Sequence, residues 1–162
     1  MTTAAVLTIS DSCSLGARED RSGPAVAELL RDFGFDVQHQ QLAPDDRENI
    51  ASVLMILSSK VQLVVTTGGT GIADSDITPE AMRDVCSRFI DGIPEKMRAD
   101  GLSHTPLAIL SRGLCGVCGQ SLIINLPGSP SAAVQSLRSV IDVLPHAIDL
   151  LAGKTSHQEN HG

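Results

Sequence analysis

Apolar positions along this chain come in two patterns that alternate. Short unbroken runs, Ala4 to Ile9 and Val61 to Val65, are too short for helices and predict buried strands. Between them lie stripes at helical spacing. Gly23-Pro24 opens one, with Val26, Leu29, Leu30 and Phe33 on its apolar face and Gly34 as its stop. Pro44-Asp45-Asp46 opens a second that runs to about Ser59 and carries Ile50, Val53, Leu54 and Leu57. Asp36 to Leu42 alternates weakly and predicts an edge strand. Ser10 to Ser12 reads as a polar strand end, and Cys13 to Ser22 as a loop. A third helix is expected from Thr78, as its cap, to about Phe89, with Pro79 in the first turn. Pro94 begins a short fourth. Leu107 to Leu110 and Leu122 to Asn125 read as short strands around a Gly-rich, Cys-containing turn. Ser129 caps a last helix with Pro130 in its first turn, and Pro145 bends or restarts it.

Strands alternating with helices predict an α/β fold with parallel pairing and right-handed crossovers. Ligands of such sheets bind beyond the carboxyl ends of the strands. Three polar loops fall there: Ser10 to Ser12, Thr66 to Asp76, and Asn125 to Pro130. Their convergence would make a site.

With 162 residues the chain reads as a single domain over residues 1–153, with a polar tail at 154–162 that holds His157 and His161. The net charge of −7 argues against a nucleic-acid partner, and the absence of Trp and Tyr removes base-stacking platforms. No apolar run reaches the ~20 residues of a membrane helix, and no leader pattern opens the chain, so a cytoplasmic protein off the membrane is expected. The four cysteines are then reduced thiols. An anionic ligand would have to be held by loop N–H groups, helix N-termini and a metal.

The richest stretch is Thr66-Thr-Gly-Gly-Thr-Gly71, which follows a buried strand and leads through Asp76 into a capped helix. Glycines let a ligand approach the main chain, and the N–H groups of such a loop form an anion-binding concavity. The loop lacks both the Gly-Lys-Ser/Thr ending of a P-loop and the spacing of a dinucleotide fingerprint. Asp76 is a carboxylate of the kind that holds Mg²⁺ beside phosphates, with Asp74 as its competitor. Asp45 has two readings: a site carboxylate, or one half of a capping box with Glu48. Gly128 and Ser129 stand at a helix start that serves equally as an anion site or as plain initiation. Cys115 and Cys118 form a C-x-x-C pair that no second pair completes into a zinc site, and read as small turn residues.

Taken together, Ile9-Ser10-Asp11-Ser12, Asp20-x-Ser22-Gly23-Pro24, Pro44-Asp45-Asp46, Thr66 to Gly71, Asp76-Ile77-Thr78-Pro79-Glu80-Ala81, Leu110 to Gly113 and Asn125 to Pro130 resemble the MogA/MoaB group of molybdenum-cofactor biosynthesis proteins, also seen as the G domain of gephyrin. The resemblance runs from about Val6 to Leu151. It implies a three-layer α/β/α sandwich with a mostly parallel sheet, and a homotrimer. It also implies Mg²⁺-dependent adenylylation of molybdopterin by ATP, giving adenylyl-molybdopterin and pyrophosphate. The alternative within the group is a MoaB-type protein that binds molybdopterin without turnover. A molybdenum-insertion protein is the implied partner downstream.

The group's two functional aspartates match Asp45 and Asp76, which become the expected catalytic and Mg²⁺-holding residues. Ser10, Asp11 and Ser12, then Thr67, Gly68, Gly69, Thr70 and Gly71, are expected to bind nucleotide or molybdopterin. So are Thr78, Pro79 and Glu80, then Ser111 and Arg112, and Asn125, Pro127, Gly128 and Ser129. The pattern departs from the group at Cys13, Ser75, Cys118 and Ser131, where basic residues are common. Lys96, Arg98 and Arg112 are the expected replacements.

Overall fold

The computed structural model describes residues 1–154. The tail from 155 on, with His157 and His161, lies outside the described residues. A six-stranded sheet has the order β2-β1-β3-β6-β5-β4. Its strands are β1 (Thr3–Ile9), β2 (Asp36–Ala43), β3 (Leu63–Thr67), β4 (Arg88–Phe89), β5 (Cys115–Cys118) and β6 (Ser121–Leu126). β2, β1, β3 and β6 are mutually parallel, while β5 runs antiparallel to both its neighbours. The helices are α1 (Asp11–Ser14), α2 (Ser22–Asp32), α3 (Arg47–Ser58), α4 (Thr78–Val85), α5 (Gly92–Gly101), α6 (Pro130–Val140) and α7 (Leu144–Leu151).

Alternation of side chains along each strand splits the core into two. Ala4 and Val6 of β1, Leu63 and Val65 of β3, and Leu122 and Ile124 of β6 face one side, where α2, α5, α6 and α7 cover them. Ala5, Leu7, Val64 and Ile123 face the other, against Ile50, Leu54 and Leu57 of α3 and Met82 of α4. This is the three-layer sandwich expected. All five residues of β3 are buried, as a central parallel strand covered on both faces requires. β2, at the edge, is largely exposed.

Four elements differ from the sequence expectation. The stretch after Ser10 is a short helix, α1, because the Ser10 hydroxyl accepts the Cys13 N–H at 3.2 Å. Leu107 to Leu110 belong to a 3-10 helix, Pro106–Leu110, rather than a strand. Thr105 caps it through Leu107 N, and Pro106 fits the first helical position. Cys115 to Cys118 form strand β5, not a turn; the turn is Gly119-Gln120, and Gly116 sits where a Cβ would come within 2.6 Å of Cys86 Sγ. The third helix stops at Val85, after which Arg88–Phe89 pair with β5. The restart at Pro145 is found: a 3-10 turn, Ile141–Val143, separates α6 from α7.

Candidate active site

The carboxyl ends of β2, β1, β3 and β6 lie side by side, so the loops that leave them meet. Hydrogen bonds stitch them together. Thr67 Oγ1 donates to the Pro127 carbonyl at 2.6 Å, and the Gly68 N–H donates to the Leu126 carbonyl at 3.0 Å. The Ser22 hydroxyl donates to the Gly128 carbonyl. Between the loops opens a cleft of about 670 Å³. Ser10, Asp45, Thr67, Gly68, Gly69, Asp76, Gly128 and Ser129 line it, each an expected site residue. The tight passage of the chain explains the paired glycines. Gly68 and Gly69 adopt φ of +101° and +70°, and a Cβ on them would strike the Ile9 carbonyl oxygen and Thr78 Oγ1 respectively.

Asp45 is not the cap of α3. That role falls to Asp46, whose Oδ1 accepts the N–H groups of Glu48 and Asn49 at 3.1 and 3.4 Å. Asp45 is thereby released toward the cleft. Its Oδ2 accepts the Asp11 N–H at 3.1 Å, and its own N–H donates to Asp11 Oδ1 at 2.8 Å, so α1 and the end of β2 hold each other. Partial burial pushes its pKa above the usual carboxylate value. The negative charges of Asp11 and Asp76 push the same way, against the Asp11 N–H bond.

Asp76 is fixed by its own loop. Its Oδ2 accepts the Ala73 N–H at 3.0 Å, and its carbonyl accepts Arg112 Nη2 at 2.6 Å. The same guanidinium donates from Nε to the Gly71 carbonyl at 2.8 Å and makes paired bonds of 3.0 Å to both Glu80 oxygens. The Arg112 N–H adds a bond to the Thr70 carbonyl at 2.8 Å. Glu80's carboxyl is held below its ordinary pKa by that guanidinium, and Arg112 is raised by its bond to Glu80. Thr78 is likewise engaged. Ile77, not Thr78, precedes the first turn of α4, and the Thr78 hydroxyl donates to the Gly68 carbonyl at 3.0 Å.

Residues 5–146 match the family described as "Probable molybdopterin binding domain". This chain belongs to the molybdopterin-binding domain family. Its similarity to a molybdopterin adenylyltransferase of Helicobacter pylori is 42% identity over 152 residues, covering 91% of this chain and 86% of that protein. For the molybdopterin adenylyltransferase of Escherichia coli the identity is 36%, over 91% and 84% of the two chains. The solved structure of the molybdopterin biosynthesis enzyme MoaB from Thermus thermophilus superposes with a TM-score of 0.89 at 44% identity, over 95% of this chain and 98% of that one.

In this member of the molybdopterin-binding family the remaining expected site residues divide into two groups. Ser111, Asn125 and Pro127 line a second, smaller cavity of about 180 Å³ between α5, α6 and the 3-10 helix. Asn125 is buried, with Nδ2 donating to Thr66 Oγ1 at 3.0 Å and Oδ1 accepting the Leu114 N–H at 3.1 Å. Asp11, Ser12, Thr70, Gly71, Thr78, Pro79, Glu80 and Arg112 line neither cavity. Several of them build the glycine loop or anchor Asp45 instead of facing the cleft. Lys96 and Arg98 do not replace the basic residues there: neither lines the large cleft, and Arg98 donates to the Gly113 carbonyl at 3.4 Å. Cys115 faces one core and Cys118 packs against the other, so the pair does not share a face of β5. Burial pushes the Cys115 and Cys86 thiols up to about 12, which leaves them protonated at neutral pH.

Sequence reasoning assigned no role to Arg18, Glu19 or Arg21, and used Asp20 and Ser22 only as part of a motif; all five line the large cleft. The signal was their place on the loop just beyond a buried strand, the location where such sheets bind ligands. Among the described residues no group of three or more His, Cys, Asp or Glu gathers into a protein cage for a metal. Asp45 and Asp76 offer two carboxylates to one cleft. That donor set fits Mg²⁺, which binds through one or two carboxylates and completes its shell with water and substrate phosphates.

Proposed function

We propose that this chain is a molybdopterin adenylyltransferase of molybdenum-cofactor biosynthesis. The carrying observation is that Asp45 and Asp76, from separate strand ends, share one cleft with the Gly68-Gly69 turn and the Ser129-capped start of α6. The names of the H. pylori and E. coli relatives support the same reaction. In that reaction an oxygen of the molybdopterin phosphate bonds to the α-phosphorus of ATP. The bond from that phosphorus to its bridging oxygen breaks, and pyrophosphate leaves with the electron pair. Such a transfer calls for alignment and charge neutralisation, not for a covalent intermediate on the protein. A phosphate nucleophile is already ionised, so no general base is assigned.

Asp76 and Asp45 hold Mg²⁺, which supplies charge neutralisation at the phosphate oxygens. The Gly69 N–H of the loop and the start of α6 cradle phosphate. Asp11 and Ser10 position Asp45, and Arg112 with Glu80 sets the shape of the glycine loop. Ser111, Asn125 and Pro127 form the wall of the smaller cavity, which takes the second substrate's uncharged part. We place the protein in the cytoplasm as a homotrimer that passes its product to a molybdenum-insertion protein. No helix among the described residues is long and apolar enough to cross a membrane.

The test is incubation with molybdopterin, ATP and Mg²⁺. Adenylyl-molybdopterin and pyrophosphate should appear together, and EDTA should abolish both. Asp76→Asn should lower the rate on the order of 100-fold. A variant that folds and works within a few-fold of wild type would remove Asp76 from the mechanism. Tight molybdopterin binding without product would instead mark the protein as a binding-only member. Light scattering checks the trimer.

A further inference from the structure

The large cleft carries two cations that no part of the reaction has yet used. Arg18 and Arg21 both line it, and they are the basic residues that do so. Their neighbours elsewhere are spoken for: Arg47 pairs with Asp84, Arg83 lies over Phe89, and Arg112 is spent on Glu80 and the glycine loop. Among the described residues the Arg18 and Arg21 guanidinium groups have neither an ion pair nor a hydrogen bond.

The backbone that carries them is fixed. The Ala17 and Arg18 N–H groups both donate to the Ser12 carbonyl, at 2.8 and 3.2 Å. The intervening Asp20 accepts Thr8 Oγ1 at 2.8 Å and the Gly23 N–H at 3.0 Å, which uses both of its oxygens. The Arg21 carbonyl accepts the Ala25 N–H as α2 begins. A pinned loop thus presents two unpartnered guanidinium groups to a cleft whose acidic lining is Glu19, Asp20, Asp45 and Asp76. In a chain of net charge −7, two unpaired cations at one cleft are a local feature. It suits a ligand that carries a metal at one part and bare phosphate oxygens at another.

We infer that Arg18 and Arg21 hold the polyphosphate of the nucleotide and receive the departing pyrophosphate. The inference rests on the nucleotide reading given above and names the groups that hold its leaving end. Guanidinium forks match phosphate oxygens in paired, charge-assisted bonds, and negative charge builds on the pyrophosphate as the bond to the α-phosphorus breaks. These two residues therefore supply, from the loop after α1, positive charge that the chain lacks at Ser75 and Ser131.

Calorimetric titration with pyrophosphate and, separately, with AMP tests this, each with Mg²⁺ present, on wild type, Arg18→Ala, Arg21→Ala and the double variant. Each single change should weaken pyrophosphate binding roughly ten-fold while AMP binding stays nearly unchanged. Arg21→Lys should recover part of the loss, because an ammonium supplies charge without the fork. The two guanidinium groups have no hydrogen bond or ion pair among the described residues, so melting temperatures should hold; Arg21→Gln, which keeps most of the stem, gives the same reading where an Ala variant melts early. Wild type that binds pyrophosphate no better than the double variant would overturn the role of the arginines and leave the nucleotide site standing. Wild type that binds neither pyrophosphate nor ATP would overturn the nucleotide reading, and the arginine role with it.

Discussion

Asp45 shows how one residue can be set against the stability of its own fold. Its carboxyl sits partly buried beside Asp11 and Asp76 and binds its proton more tightly in the fold than in the unfolded chain, where the pKa is near 3.8. The stability linked to that proton is whole below pH 3.8 and is lost as pH rises through the raised folded value. At neutral pH the ionised Asp45 therefore weakens the ligand-free protein. Asp45→Asn keeps an oxygen to accept the Asp11 N–H and removes the charge. It should raise the melting temperature at pH 7 by about 1–3 °C, with the gain shrinking as pH falls toward 4. The same variant should lose adenylylation, the exchange of stability for function that active-site carboxylates commonly show. Paired melts and rate measurements decide it: an unchanged or lowered melting temperature at pH 7 would contradict the electrostatic account. The role of Asp45 was half legible in the sequence. Asp45 and Asp46 are adjacent and chemically alike, and only the φ/ψ turn at the helix start decides that Asp46 caps and Asp45 is free.

At the scale of elements, the glycine loop between β3 and α4 takes its shape from Arg112, which lies some forty residues further along the chain. One guanidinium ties Gly71, Asp76 and Glu80 together, so the loop that carries a metal-holding carboxylate is set by a residue outside either cavity. Arg112→Met, close in length but without donors, should lower the rate on the order of 100-fold by displacing Asp76 while changing molybdopterin affinity far less. Arg112→Lys should behave nearly as badly, since one ammonium cannot span three acceptors. Binding and turnover measured together are the check. A variant that loses affinity but keeps its rate would mean that Arg112 touches the ligand after all. The strands that position the site were legible, because the apolar runs ending at Ile9, Val65 and Asn125 are strong local signals, and each is followed by a polar loop. The misread elements lack such signals. β5 is built from small residues whose place is settled by Cys86 packing over Gly116, a contact distant in sequence. The 3-10 helix after Thr105 is apolar and short, and periodicity over five residues separates a strand from a tight helix poorly.

For the molecule as a whole, function depends on four parallel strands delivering their loops to one edge. No single segment makes the cleft. Asp45 follows β2, Ser10 and Arg21 follow β1, Gly68 and Asp76 follow β3, and Ser129 follows β6. A ligand that fills the cleft must touch loops far apart in sequence and hold them together, while the antiparallel side of the sheet, β5 and β4, gains nothing from it. Hydrogen exchange reads this directly, because a ligand that binds only the folded state suppresses the local openings that expose its contacts. Saturating ATP with Mg²⁺ should slow exchange together at 10–13, 18–23, 67–76 and 128–132, and leave 115–118 and 88–89 unchanged. The order of effect also follows. The Gly69 N–H and those opening α6 would be protected by the phosphates themselves, and those near Asp11 only through the stiffening of Asp45. Protection confined to 94–113 would put the nucleotide in the smaller cavity and exchange the roles of the two cavities. Protection of one loop without the others would mean that the strand ends do not act as one site, and the cooperation between distant carboxylates and arginines would fall with it.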